Sequence, residues 1–88
     1  MESDETLLRF PCEFPIKVMG KAEDDFDALV VGLIRNHSPD LPDASVTSRH
    51  SNGGRYISVT VTIQALSREQ LDNIYMDLVA EKRVLMAL

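Results

Sequence analysis

Residues able to do chemistry are few in this chain, and they lie far apart. Cys12 is its one cysteine, and its neighbours are Pro11 and Glu13. A reactive thiolate needs a cationic neighbour or a helix N-terminus, and Glu13 disfavours the charged form, so Cys12 reads as a small packing residue. One thiol cannot close an intrachain disulfide, which fits a reducing cytoplasm. His37 and His50 belong to different predicted elements. Copper carriage on a small domain needs paired thiolates, which Cys12 alone does not supply, so no metal is expected. Asp24, Asp25 and Asp27 crowd together as if for acid–base work, but acidic residues gather at helix starts because the helix dipole favours them there. The expectation is therefore no catalytic residue, no cofactor and no metal.

An anion cradle is the next chemistry to consider. Gly20-Lys21-Ala22-Glu23-Asp24 has the glycine such a loop wants, but Glu23, Asp24 and Asp25 repel phosphate and no arginine sits within it. The segment reads as the approach to a helix cap.

The elements that must position these residues follow from periodicity. Phe14, Ile16 and Val18 alternate with Pro15, Lys17 and Met19, which predicts a first strand over 14–20 with Gly20 at its end. A helix follows with Asp24 as its expected N-cap, and Phe26, Leu29, Val30, Leu33, Ile34 and His37 form one stripe. Pro39 ends it. Residues 44–50 read as a thin edge strand, and Ser51-Asn52-Gly53-Gly54 is a turn rich in residues that accept positive φ. Over 55–65, Ile57, Val59, Val61 and Ile63 face one way and Tyr56, Ser58, Thr60, Thr62 and Gln64 the other. Ser67 and Gln70 make a capping box ahead of the stripe Leu71, Ile74, Tyr75 and Leu78. A last strand over 83–88 alternates Val84, Met86 and Leu88 with Leu85 and Ala87.

That order closes as an α+β, ferredoxin-like βαββαβ sandwich: a four-stranded antiparallel sheet with two helices on one face. The first and third strands are expected to be central. Residues 10–88 form one domain in this reading, and 1–9 form a flexible acidic tail in which Leu7 and Leu8, with Phe10 following, pack as an arm. No stretch approaches the ~20 apolar residues that span a bilayer, so no membrane partner is expected.

The net charge of −5 argues against a general nucleic-acid binder. An RNA-recognition sheet also needs several stacking aromatics where this chain offers Tyr56 followed by Ser58 and Thr60. What does not reduce to core packing is the far side of the sheet, with Lys17, Met19, Tyr56, Ser58, Thr60, Thr62 and Gln64. It is either a solvated face or a docking face for a partner, a homodimeric second sheet included.

The segments FPCEFPIKVMGKA at 10–22, SNGGRYISVTVTIQA at 51–65 and RVLMAL at 83–88 resemble the YbeD-like family of small bacterial proteins. The resemblance runs from Phe10 to the last residue. It implies a ferredoxin-like fold and a likeness to ACT domains, which sense small molecules in amino-acid metabolism. Some members have genes beside lipoate-biosynthesis genes, which implies a metabolic regulatory role. The family brings no established catalytic residues. ACT domains carry an Asp-x-Pro-Gly-type turn after the first strand, whereas here no proline precedes Gly20 and Glu23-Asp24 follow it.

The function expected is a non-enzymatic regulatory or adaptor domain in the cytoplasm, binding a protein partner or a small metabolite. Its expected contacts are Lys17, Tyr56, Ser58 and Thr60 on the open face and the turn at Gly20 and Lys21. The alternatives are a small acylphosphatase-like hydrolase, depending on Asn52 or Arg55, and an RNA-binding domain.

Overall fold

The computed structural model of the protein describes residues 9–23 and 25–88. The expected tail lies outside these residues except for Arg9, and so do Leu7, Leu8 and the expected cap, Asp24. Strand β3 (Tyr56–Ala65) is the organising element. Its alternation sends Ile57, Val59, Val61, Ile63 and Ala65 to one side, where all five are buried. Strand β1 (Cys12–Lys21) pairs with it antiparallel, residue for residue, from Cys12 opposite Ala65 to Lys21 opposite Tyr56. Strand β2 (Val46–His50) flanks β3 and strand β4 (Val84–Ala87) flanks β1, giving the order β2-β3-β1-β4. The first and third strands are thus central, as the patterning requires.

Helices α1 (Phe26–Arg35) and α2 (Arg68–Ala80) cover one face. Phe26, Val30 and Ile34 from α1 and Leu71, Ile74 and Leu78 from α2 join Ile16, Val18 and the inward residues of β3 in a single core cluster. Each such side chain contributes roughly 1.5–3 kcal/mol when fully buried. Phe10, Cys12 and Phe14 pack against the margin of that cluster.

Proline in a central strand normally argues against the strand, because the ladder loses a donor. Pro15 is tolerated because its nitrogen faces a vacant margin. Lys17 exchanges both backbone bonds with Leu88, at 3.0 and 2.8 Å, so its polar groups point toward β4. Pro15, two residues earlier, points to the same side, and among the described residues nothing pairs with β1 there.

Three local features depart from the sequence reading. The cap position of α1 is held by Asp25, whose side chain makes no bond to the helix; its carboxylate accepts from Arg83 Nη2 at 2.7 Å instead. A turn of 3-10 helix, Asp43–Ser45, takes the start of the expected second strand, so β2 begins at Val46. Arg35 holds that segment by donating to the Leu41 carbonyl at 2.8 Å and to the Asp43 carboxylate at 2.7 Å. The unbroken alternation expected over 83–88 is interrupted by a register shift opposite Met19 and Gly20. Leu85 is the extra residue. Val84 and Ala87 therefore both reach the core, and Met86 falls opposite Met19 on the other face.

The capping box at Ser67 forms with one change. Ser67 Oγ accepts from the Gln70 amide at 3.1 Å, while Gln70 Oε1 reaches past Ser67 to the Leu66 amide at 2.7 Å. Gln70 Nε2 also donates to the His37 carbonyl at 2.8 Å, and His37 Nε2 meets the Asp77 carboxylate at 2.6 Å. These two contacts tie the end of α1 to α2.

Candidate functional site on the open sheet face

Among the described residues no helix covers the other side of the sheet. The pairing registers place its residues in rows. Thr47, Thr60 and Lys17 stand side by side, with Leu88 beyond Lys17. Arg49, Ser58, Met19 and Met86 form the next row, and Tyr56 and Lys21 the one after. Lys17, Arg49 and Lys21 are exposed, whereas Ser58 and Thr60 are half-buried between their longer neighbours. Two shallow hollows meet at Lys17. One, of about 300 Å³, is lined by Lys17, Met19, Arg49, Tyr56 and Ser58 among others. The other, of about 460 Å³, is lined by Lys17, Thr47, Arg49, Ser58 and Thr60 together with Ser48.

Five of the six expected contact residues, Lys17, Lys21, Tyr56, Ser58 and Thr60, therefore share this face. Gly20 does not. It lies within β1 rather than in a turn, its position faces the core, and it is buried. A Cβ added there would sit 2.5 Å from Cζ of Phe26 and 2.7 Å from the Arg83 carbonyl oxygen. Gly20 is glycine so that the Phe26 ring and the entry to β4 can close over β1. Lys21 is the last residue of β1, not part of a turn.

The edge strands add face residues that were not among the expected contacts, Arg49 and Met86 among them. Arg49 sits beside Ser58 only because β2 starts at Val46 and pairs in this register. Met86 reaches the face because Leu85 is accommodated as an extra residue. The period-two pattern would have placed Arg49 had β2 been aligned against the Ser58 and Thr60 side.

Three amides at the loop between β1 and α1 bond within the chain itself. Ala22 N–H donates to the Arg55 carbonyl, Glu23 N–H to Lys21 and Phe26 N–H to Glu23, at 2.9, 2.8 and 3.1 Å. Beside it, Arg83 Nη2 lies 3.0 Å from Glu23 and 2.7 Å from Asp25, with the guanidinium 6.0 Å from the Phe26 ring centroid. The hydrogen bond from Arg83, and then its charge, hold the Asp25 carboxyl below its ordinary 3.8. Burial pushes the Tyr75 phenol above its ordinary 10.0. Asn52 lies in the turn Asn52–Gly54, in which Gly53 and Gly54 take φ of 84° and 73°, and Arg55 follows that turn. Among the described residues no three His, Cys, Asp or Glu side chains gather as metal ligands, and no helix is long and apolar enough to cross a membrane.

Known proteins resemble this chain in sequence and in fold. A UPF0250 protein of Chromobacterium violaceum is 44% identical over 87 residues, covering 99% of this chain and 98% of its own. A UPF0250 protein of Paraburkholderia phymatum is 49% identical over 72 residues, covering 82% of this chain and 81% of its own. The solution structure of protein HP0495 from H. pylori matches with a TM-score of 0.69 over 92% of this chain and 85% of that one; at 14% identity the likeness is one of fold. The family model described as "Protein of unknown function (DUF493)" matches residues 5–88, and the chain belongs to that family, to which the YbeD-like resemblance pointed.

Proposed function

We propose that this protein is a non-enzymatic regulatory or adaptor domain of the bacterial cytoplasm, binding a protein partner or a small metabolite on the open face of its sheet. Residues 10–88 act as the binding domain and 1–9 as an acidic extension. The observation that carries the reading is the pair of hollows meeting at Lys17, bordered by Tyr56, Ser58 and Thr60 on a sheet face that no helix of the described residues covers. Met19 in the middle of β1 and Tyr56 at the end of β3 are residue types that suit an interface. The bonds that Ala22, Glu23 and Phe26 N–H make within the chain support a binding role over a phosphate-cleaving one, because an anion cradle needs free donors.

The test is affinity capture from the native cell with the intact protein and with a Tyr56→Lys/Thr60→Lys variant whose fold is checked by circular dichroism. A folded variant that loses the captured protein or metabolite supports the open face as the docking surface. Equal capture by both refutes it. Sedimentation distinguishes a second copy of the chain from a different partner. Hydrolysis of an acyl phosphate that disappears on Asn52→Ala or Arg55→Ala would favour the hydrolase instead.

A further inference from the structure

Charge is segregated among the described residues. The chain carries a net −5, yet among the described residues the open face holds three cations, Lys17, Lys21 and Arg49, against one carboxylate, Glu13, at its far end. The other acidic side chains among the described residues belong to the helices and the loops flanking them: Glu23, Asp25 and Asp27; Asp40 and Asp43; Glu69, Asp72, Asp77 and Glu81. None of the three face cations forms an ion pair among the described residues, whereas Arg35 and Arg83 are both engaged. Next to the cations runs an apolar strip. Met19 and Met86 are cross-strand neighbours, with Tyr56 and Leu88 on either side of them, and Tyr56, Met86 and Leu88 are 39%, 49% and 62% exposed.

We propose that the open sheet face receives an acidic, amphipathic segment of a partner protein, with Lys17, Lys21 and Arg49 taking its carboxylates and Met19, Tyr56 and Met86 its apolar side chains. The inference rests on the docking role proposed above and names the chemistry of the partner. Spacing favours a segment over a single small carboxylate. Lys17 and Arg49 are two strands apart across β3 and one row out of line, about 12 Å between backbones, and Lys21 is four residues along β1 from Lys17, about 13 Å. Several carboxylates on one scaffold match that spread. The apolar strip favours protein over nucleic acid, since a single-stranded ligand stacks on several aromatic rings and this face offers Tyr56 alone. Opposite charge steers encounter and selects partner and register, and the apolar contacts hold the complex.

The measurement is a titration of the ¹⁵N-labelled full chain with a synthetic peptide bearing a glutamate stripe beside a leucine stripe. Three further arms use the same peptide with lysine for glutamate, an oligouridylate, and the protein diluted alone. The proposal expects saturable shifts at Lys17, Met19, Arg49, Tyr56 and Ser58, weakening with added salt, and a loss of affinity on the order of tenfold in Lys17→Glu/Arg49→Glu. Both substituted side chains are exposed, and the spectrum itself reports whether the variant is folded. No saturation at millimolar peptide overturns the proposal, as do shifts confined to the helices or equal binding of the lysine peptide. Tighter binding of the oligouridylate makes the face a polyanion site, and dilution-dependent shifts at the same residues make it a self-association surface; either also overturns it. If the captured partner is lost on Tyr56→Lys/Thr60→Lys but kept by Lys17→Glu/Arg49→Glu, the docking face stands and the acidic segment falls.

Discussion

Substituting one glycine by alanine should destabilise this protein, and the same substitution at another should stabilise it. At Gly20 the new methyl would lie 2.5 Å from Cζ of Phe26 and 2.7 Å from the carbonyl oxygen of Arg83. Carbon atoms in ordinary contact stay about 3.5 Å apart, so both neighbours must retreat by up to about 1 Å. Neither can do so freely. Phe26 is 1% exposed and fills the end of the core, and the Arg83 oxygen belongs to the backbone entering β4. Overpacking of this kind costs about 1–3 kcal/mol, and with a rigid group on each side Gly20→Ala belongs near the upper end. At a urea slope of about 1 kcal/mol/M for so small a chain, the unfolding midpoint falls by about 2–3 M. Gly32 is the control. It is exposed within α1, and a Cβ there meets nothing within 4 Å. Gly32→Ala removes backbone freedom from the unfolded chain and raises stability by about 0.5–1 kcal/mol. A Gly20→Ala midpoint within about 0.3 M of the parent, or two midpoints moving in the same direction, would refute the close approach of Phe26 and β4 over Gly20.

Two further outcomes follow from the polar contacts. Ser67→Ala removes the hydroxyl that accepts from the Gln70 amide, and should lower stability by about 1 kcal/mol, read from the same urea transition; an unchanged midpoint means that Gln70 alone secures the start of α2. Arg83→Gln tests the depressed Asp25 carboxyl. A carboxyl held below its ordinary 3.8 contributes stability that is present above that value and is lost as the pH falls through the folded one. The gap in Tm between parent and variant should therefore narrow as the pH drops below about 4, and a gap independent of pH would show that Arg83 acts through packing on Phe26 alone.

How far the architecture could be read in advance depended on whether a residue's partner was near in sequence. The alternation Ile57, Val59, Val61, Ile63 needs no distant information, because a half-buried strand imposes it by itself, and β3 emerged with its inward side chains as expected. The same holds for Ser67 and Gln70, which sit three residues apart on one turn. Asp25 is the opposite case: its carboxylate is claimed by Arg83, which no local pattern could indicate. Gly20 resembled the end of a strand because glycine is common there, whereas the reason for it is an aromatic ring delivered by the next helix. The displacement of Met86 likewise depends on how β4 meets β1, a match between separate segments. Of the candidate face, the half built from β1 and β3 was legible from alternation, and the half built from β2 and β4 was not, since short edge strands leave their register to the partner strand.

Pro15 has a consequence for how these molecules behave when crowded. An uncapped sheet margin is a template on which a foreign strand can grow, and β4, with Leu85 and Met86 exposed and no charged side chain, offers little resistance. A strand extending past Leu88 along β1 would next meet a ring where it needs a donor, and its growth would stall there. Replacing that ring with valine would complete the ladder and lengthen the continuous template, turning a self-limiting margin into one that can seed fibres.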